Sequence, residues 1–395
     1  MNAFNGIPKI SFNRVCVALF FLLYIGFYYA EYITYVKVSY LVLCIGFCFT
    51  LIRVRRIRNV QFILLTVIFI LYSYFSSLWS VSPSIALSSS MQLMKSALVA
   101  ILVSQLIIDE DDYKWAFGWL FFSGILFSLL YLGYVDISNL GDDRISTQID
   151  EDLPNVNVVA LIVSTAFVYF FCLYFSNNNK FYLILAIVSA LVTILLGSRK
   201  SILAIVLCIL LLIFKMRLKN SAKIVLLMIF IGVAAVMFIP SGYLDYVFER
   251  LLNLNFLSDS SVLDSSDRTR VELINNGFMY WGQRPLLGHG FYNFSIVNGR
   301  EAGVHLYSHN NFIEVLVGGG LIGFILYYYY YYKIFSNLKK IDNKQVKTII
   351  LICILVLLFN HLGIVVLLDR FIWILLALFF ALTESYKNRC KEYLL

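Results

Sequence analysis

Long apolar runs separated by short polar stretches fill most of this chain of 395 residues. A helix that crosses a bilayer needs roughly 20 predominantly apolar residues, and runs near this length recur along the sequence. The pattern therefore predicts an all-α, polytopic membrane protein with about twelve transmembrane helices. The predicted spans lie near residues 14–33, 37–52, 60–79, 84–108, 114–135, 155–175, 180–197, 201–216, 222–240, 309–332, 346–361 and 364–384.

Two polar stretches, residues 136–154 and 241–308, are too long to be simple turns. The longer one lies between the ninth and tenth predicted spans, where apolar residues recur at helical spacing from Val271 to Trp281. This spacing predicts amphipathic helices at the membrane surface. We expect three parts: helices one to nine in residues 1–240, the loop in residues 241–308, and helices ten to twelve with a tail in residues 309–395.

The charged residues give the orientation of these spans. Only 14% of the residues are charged and 61% are hydrophobic, and the net charge is +8. The basic residues cluster in the connections on one side of the predicted bundle, which by the positive-inside rule is cytoplasmic. Both termini are then cytoplasmic and both long loops lie outside. The cationic surplus is explained by topology, so it does not indicate a nucleic-acid partner.

Basic residues on the outer side are few, and four of them are candidates for binding phosphate. Arg199 and Lys200 occupy a predicted hairpin between two spans, and Arg268 and Arg270 begin the amphipathic segment. Arginines from two elements can grip a pyrophosphate bidentately. The alternatives are snorkelling toward the phosphates of membrane lipids and ordinary solvated surface charge.

Three of the four histidines fall within the loop and the helix start that follows it. His309 precedes an apolar helix at the outer surface, where a neutral imidazole can act as a base. Glu314, one turn further, could orient it, although a helix-capping role for His309 is the alternative. His305 and His309 have a spacing that can bind zinc, but no third ligand follows, so we predict no metal. Secondary candidates are Arg284, His289, His305 and Asn310.

Three features of the apolar runs have a structural and a functional interpretation. Lys95 lies inside a predicted span, where a charge is costly unless it is paired or faces a cavity. The glycines at 318, 319, 320 and 323 allow close approach of a neighbouring helix or of a lipid tail. The tyrosine run at 327–332 is typical of an aromatic belt at the membrane interface.

Four motifs in order resemble the O-antigen ligase and O-antigen polymerase family, over roughly residues 70–325. The chain departs from the family pattern at Ile274, where a Trp is common, and at Phe324, where a smaller residue often follows the glycines. The motifs are Ser77-Leu78-Trp79-Ser80-Val81-Ser82-Pro83; Gly197-Ser198-Arg199; Arg270-Val271-Glu272-Leu273 ahead of Pro285-Leu286-Leu287-Gly288-His289-Gly290; and His309-Asn310, followed after nine residues by Gly320-Leu321-Ile322-Gly323.

The resemblance implies a bacterial inner-membrane glycosyltransferase with its site facing the periplasm. It implies inverting, metal-independent transfer from an undecaprenyl-pyrophosphate-linked glycan, without a cofactor. By position, Arg199 and Arg270 would hold the pyrophosphate, and His309 would take the proton of the acceptor hydroxyl with support from Glu314. The implied partners are the lipid-linked oligosaccharide and membrane lipids, and a chain-length regulator is left open.

Two reactions are known in this family. A polymerase transfers the growing glycan to another lipid-linked repeat unit, whereas a ligase transfers it to lipid A-core, which is dense in phosphate. Residues 136–154 are acidic, and acidic residues outnumber basic ones in residues 241–308. Since an acidic surface fits a sugar better than a polyanion, we favour the polymerase. A non-enzymatic transporter of the same lipids is a second alternative, although it needs a site near the midplane.

Overall fold

The computed structural model describes residues 11–27, 32–55, 57–133, 155–216 and 265–392, and every regular element in these ranges is helical. A π-helical turn, Leu22–Gly26, extends α1, and a 3₁₀ turn, Ser76–Leu78, follows α3. The helices are α1 Phe12–Phe21, α2 Tyr32–Val54, α3 Val60–Phe75, α4 Pro83–Leu106, α5 Glu110–Gly133, α6 Val156–Asn177, α7 Lys180–Leu195, α8 Arg199–Met216, α9 Ser265–Gln283, α10 Phe294–Ala302, α11 Asn311–Leu338, α12 Lys344–His361 and α13 Arg370–Glu392.

The helical, multi-pass character predicted from the sequence is confirmed. Seven helices in the described residues are long and apolar enough to cross a membrane, namely α2 to α6, α11 and α12. The apolar segments Phe12–Gly26, Lys180–Leu195 and Lys200–Leu212 are shorter. The predicted span at 222–240, the acidic loop at 136–154 and residues 241–264 lie outside the described residues. The total of twelve spans, the three-part division and the orientation therefore stay predictions.

The last helix lies at the centre of the bundle. Every residue from Phe371 to Leu382 in α13 is buried, which fits a segment that is apolar on all of its faces. The predicted span at 364–384 is wrong at its start, because α12 ends at His361 and α13 begins only at Arg370. Residues 362–369 between them are non-helical, although their sequence is almost entirely apolar.

The two ends of α4 define the two ends of the bundle. At its end, the side-chain amide of Asn13 donates to the carbonyl of Leu106 (3.1 Å), and the guanidinium of Arg58 donates to the carbonyls of the two residues that follow, 107 and 108. At its start, the backbone N–H of Ser82 donates to Oδ1 of Asn293 (2.9 Å). The start of α4 therefore lies beside the loop that carries the candidate chemistry.

Helix α11 is broken at Gly320, whose φ of 58° and ψ of −166° interrupt the helical ladder. Residues 285–290 fill the break and bond to the freed backbone groups. A Cβ at Gly288 would strike the backbone at Gly320, and one at Gly320 would strike Leu286, so both positions require glycine. The bonds are Leu321 N to Pro285 O (2.8 Å), Ile322 N to Leu286 O (3.2 Å), His289 N to Val317 O (2.8 Å) and Gly290 N to Gly318 O (3.0 Å).

This arrangement decides what approaches the glycines. The loop 285–292 lies against Gly318 and Gly320, and the ring of Tyr72 lies against Gly323. The hydroxyl of Tyr72 donates to the carbonyl of Gly319 at 2.6 Å. The glycines thus accept protein backbone and a tyrosine, and a bulky residue at Gly320 would disrupt the fold rather than test a lipid groove.

The tyrosine run is mostly interior, so its interpretation as an interfacial belt is wrong for Tyr327, Tyr330 and Tyr331, which are buried. The hydroxyl of Tyr330 donates to Oγ1 of Thr66 (3.1 Å), and that of Tyr331 lies 3.3 Å from Nε2 of His361. These partners inside the bundle explain why the polar rings of Tyr330 and Tyr331 are tolerated there. Tyr332 is exposed, as the belt would require.

Candidate active site

The candidate site is built around the turn that starts α11. The side chain of Asn310 caps this helix, since its Oδ1 accepts from the N–H groups of Phe312 (2.9 Å) and Ile313 (3.2 Å). Such a cap ends the preceding loop at a defined residue. His309 therefore stands immediately before the cap, so the interpretation of His309 as a cap itself is wrong.

His309 is held in an uncommon backbone conformation. Its φ of 51° lies in the left-handed region, which residues with a Cβ seldom occupy and which costs roughly 1–3 kcal/mol. Its ring lies on that of Tyr307, with centroids 3.9 Å apart and planes at 38°. The Tyr307 hydroxyl accepts from the side-chain amide of Asn155 at 3.2 Å, at the start of α6. Within the described residues, the imidazole itself has no hydrogen-bond partner.

Burial and two cations keep His309 neutral. Its pKa is lowered to about 4, mainly because the ring is desolvated, and further because Arg270 and Lys200 are positively charged. An imidazole with such a pKa is unprotonated near neutral pH. A neutral ring nitrogen beside two cations is the arrangement required of a base next to an anion-binding site.

The two cations come from different elements. Arg270 is half-buried on α9 and also acts electrostatically on Tyr307. Lys200 lies in the first turn of α8, and its Nζ donates to the carbonyl of Gly363 at 3.1 Å. The structure thus brings together Lys200, Arg270 and His309, which are up to 109 residues apart in the sequence.

Arg199 begins α8, one residue before Lys200, but its side chain lies outside the described part of the structure. The turn before it is well defined. Gly197 has a φ of 63°, and the hydroxyl of Ser198 donates to Oδ1 of Asn157 on α6 at 3.1 Å. The start of α8 is therefore fixed to the start of α6, the same helix end that binds Tyr307.

Glu314 is buried and acts on the turn rather than on the imidazole. Its Oε2 accepts from the Ser308 hydroxyl (2.7 Å) and from the Ser308 backbone N–H (3.1 Å). The Ser308 hydroxyl also lies 2.8 Å from the carbonyl of Asn310. Glu314 thus stabilises the backbone on both sides of His309, which makes it a positioning residue.

The other predicted residues lie around this centre in different settings. Arg268 is exposed in the first turn of α9, and His305 is exposed beside Gly299. Arg284 is exposed and donates to the carbonyl of Trp79 (2.9 Å). In the described ranges, no group of three His, Cys, Asp or Glu is placed to hold a metal ion.

His289 is buried in the loop that fills the α11 break. Its Nε2 donates to the carbonyl of Tyr280 at 2.8 Å, and burial lowers its pKa. The backbone N–H of Val81 donates to the His289 carbonyl at 2.9 Å, which joins the loop to the start of α4. His289 therefore holds the loop together.

Three residues of the site were missed in the sequence. Tyr307 and Ser308 precede the histidine directly, and Asn311 follows the cap; its Oδ1 accepts from the N–H of Val366 at 2.9 Å. The available signal was the uninterrupted polar run Tyr307 to Asn311 in front of an apolar helix. A polar run at a helix start indicates capping and side-chain bonding, but not which groups meet.

Residues 181–328 match the sequence model of one protein family, described as O-antigen ligase. No curated protein matches the sequence. The matched segment runs from α7 into α11 and contains the Gly197-Ser198-Arg199, Arg270 and His309-Asn310 motifs, so the resemblance is confirmed there. The Ser77 to Pro83 motif and Lys95 lie before it.

Proposed function

We propose that this protein is a membrane-embedded glycan polymerase, because residues 181–328 match the model of the O-antigen ligase family, whose members transfer lipid-linked glycans. It transfers the growing glycan from undecaprenyl pyrophosphate to the non-reducing-end hydroxyl of another lipid-linked repeat unit. The observation that carries the proposal is the neutral imidazole of His309 beside Arg270 and Lys200.

In the proposed reaction, the acceptor oxygen attacks the anomeric carbon of the donor glycan from the face opposite the pyrophosphate. A ring nitrogen of His309 takes the hydroxyl proton, the new C–O bond forms, and the bond to the pyrophosphate oxygen breaks with inversion. Undecaprenyl pyrophosphate leaves with the bonding electron pair. Arg270 and Lys200, with Arg199 next to Lys200 in the sequence, stabilise the charge that develops on it.

The same cations make His309 a weak base until the donor binds. A pKa of about 4 in the free protein arises partly from Arg270 and Lys200. A bound pyrophosphate adds negative charge beside them, which raises the pKa of the imidazole toward its ordinary value. The base therefore strengthens when the donor is in place, which couples proton removal to donor binding.

A polymerase is favoured over a ligase by the charges of the sequence. Acidic residues outnumber basic ones in residues 241–308, and residues 136–154 are acidic, which disfavours a phosphorylated acceptor. The ligase is the second candidate, because the matching family is described as O-antigen ligase.

The test gives purified protein only undecaprenyl-pyrophosphate repeat units, with chelator present, and follows the lipid-linked products by gel. A polymerase builds a ladder of longer glycans. Single transfers that appear only after lipid A-core is added identify a ligase and contradict the proposal. Lipid movement across a liposome bilayer without either product identifies a transporter and also contradicts it.

A further inference from the structure

A cavity of about 460 Å³ lies inside the bundle, lined by the π-helical turn after α1, by α2, α4, α5 and α6, by residues 365–371 and by Tyr292 of the loop. Val158, on its wall, is two residues from the start of α6, whereas Lys95 is twelve residues from the start of α4. At 1.5 Å per residue, Lys95 lies about 18 Å along α4 from the His309 end of the bundle.

Charged side chains line the cavity at membrane depth. Among the described residues these are Lys95, Arg370 and Asp369. In the described part of the chain no carboxylate forms an ion pair with Lys95. A charged residue inside a span is costly unless something compensates it, so an unpaired lysine facing a cavity points to an anion.

Arg370 contributes a second basic side chain to the wall of the cavity. Its guanidinium lies over the ring of Tyr24, 5.0 Å from the centroid. Asp369 accepts from the N–H of Ile372 (3.1 Å) as a cap of α13. The walls of the cavity thus present the basic side chain of Lys95 and the hydrogen-bonding side chains of Gln92 and Tyr40.

Non-helical backbone lies next to the cavity. The Ser96 hydroxyl donates to the carbonyl of Leu368 at 3.0 Å, so the connection 362–369 descends to the middle of α4. Irregular backbone at membrane depth is tolerated where it is buried in protein or lines a water-filled cavity. The same connection reaches the active site, because the carbonyl of Gly363 accepts from Lys200.

The cavity is also accessible from the side of the bundle. Lys95 and Gln92 lie on the exposed face of α4, in a stripe whose other members include the apolar Leu87, Met91 and Leu98. Such a face suits contact with lipid chains. An anion with an apolar tail can therefore place its charge at Lys95 and leave the tail in the bilayer.

We infer that this cavity binds the pyrophosphate of the acceptor lipid while its far sugar reaches His309. The inference rests on the proposed polymerase. A polymerase binds two lipid-linked pyrophosphates. The pyrophosphate of the donor must lie at the reacting carbon, beside Arg270 and Lys200. The pyrophosphate of the acceptor is separated from the reacting hydroxyl by the whole repeat unit, so it needs a second cationic site away from His309.

The experiment compares two acceptors with the same repeat-unit glycan, one on undecaprenyl pyrophosphate and one on an uncharged alkyl chain. Each is elongated once from a pre-formed, acceptor-blocked donor. Wild-type protein should prefer the charged acceptor, and Lys95→Gln should raise its KM about tenfold or more, with KM for the uncharged acceptor unchanged. Lys95→Arg should restore the preference. Lys114→Gln, at an exposed lysine of α5 that pairs with Asp111 at 3.1 Å, is the matched control.

An unchanged preference in Lys95→Gln overturns the inference, as does an equal loss with both acceptors, which assigns the cavity to the donor or to folding. Competition by inorganic pyrophosphate as strong as that by undecaprenyl pyrophosphate overturns the assignment to a lipid. Failure of the polymerase proposal is recognised separately, because wild-type protein then elongates neither acceptor.

Discussion

Two histidines of the same loop region, the buried His289 and the half-buried His309, both have a lowered pKa but differ in what surrounds them. His289 donates to the carbonyl of Tyr280 and is flanked by Gly288 and Gly290, whose positive φ values fit the loop to the α11 break. His309 itself has positive φ, lies on Tyr307, and faces cations. A buried histidine with a hydrogen-bond partner holds structure, whereas one strained beside cations without such a partner is available for chemistry.

The largest expected difference between the two histidines is in catalysis. His309→Ala should reduce transfer roughly 10²- to 10⁴-fold, the usual contribution of a general base, because no other described imidazole faces Arg270. The measurement is the rate of ladder formation by purified, correctly folded variant. Near-normal rates would remove His309 from the mechanism.

The role of the cations beside His309 is tested at Arg270. Arg270→Lys should lower turnover roughly 10- to 100-fold, since a point charge cannot reproduce a bidentate fork. Arg199→Lys should behave alike if its side chain joins the pyrophosphate site. Arg300→Lys, at an exposed arginine of α10 that is not a site candidate, is the control. Full activity in Arg270→Lys would mean that the residue supplies charge alone.

At His289 the expected effect is on stability and not on catalysis. His289→Ala leaves the buried carbonyl of Tyr280 without its donor, which should cost about 1–3 kcal/mol of stability. The expected result is a lower unfolding midpoint in detergent with nearly normal transfer per folded molecule. Should activity fall without any loss of stability, His289 would belong to the site and the contrast would be wrong.

The smallest effect concerns the support of the His309 turn. Ser308→Ala removes a hydroxyl that donates to Glu314 but keeps the backbone N–H bond to the same carboxylate. Transfer should fall several-fold, mainly in kcat, because the base is less well positioned and binding is untouched. A change confined to KM would mean that Ser308 contacts substrate instead.

The sequence predicted the helices well because apolar length and spacing are local properties. It also identified Arg199, Arg270 and His309 through motifs, although only the fold shows that Arg270 and Lys200 act on the imidazole. Helical spacing predicts that Glu314 orients the imidazole of His309, whereas its carboxylate accepts hydrogen bonds from Ser308. Side-chain direction at a helix start depends on the capping turn, which spacing does not describe.

Other features depended on contacts between distant segments. Residues 362–369 are apolar enough to be helical, and their non-helical course is stabilised by side chains of Lys200, Asn310 and Ser96 that bond to their carbonyls. The Tyr331 ring is buried because His361 lies within reach. The sequence predicts that Lys95 is costly within a span, but the cavity that it faces is formed by side chains from segments that are far apart in the sequence.

The pH dependence of transfer by wild-type protein and Lys200→Met tests most directly whether His309 is a base whose pKa is set by its neighbouring cations. His309 must be unprotonated to accept a proton, so activity is lost as pH falls through its pKa. We predict that kcat/KM, which reports the free protein, declines around pH 4, and that kcat, which reports the donor complex, declines at higher pH. Removing the Lys200 cation should shift the decline of kcat/KM to a higher pH. If kcat and kcat/KM declined at the same pH, and if that pH did not change in Lys200→Met, the proposal that these cations control the pKa of His309 would be contradicted.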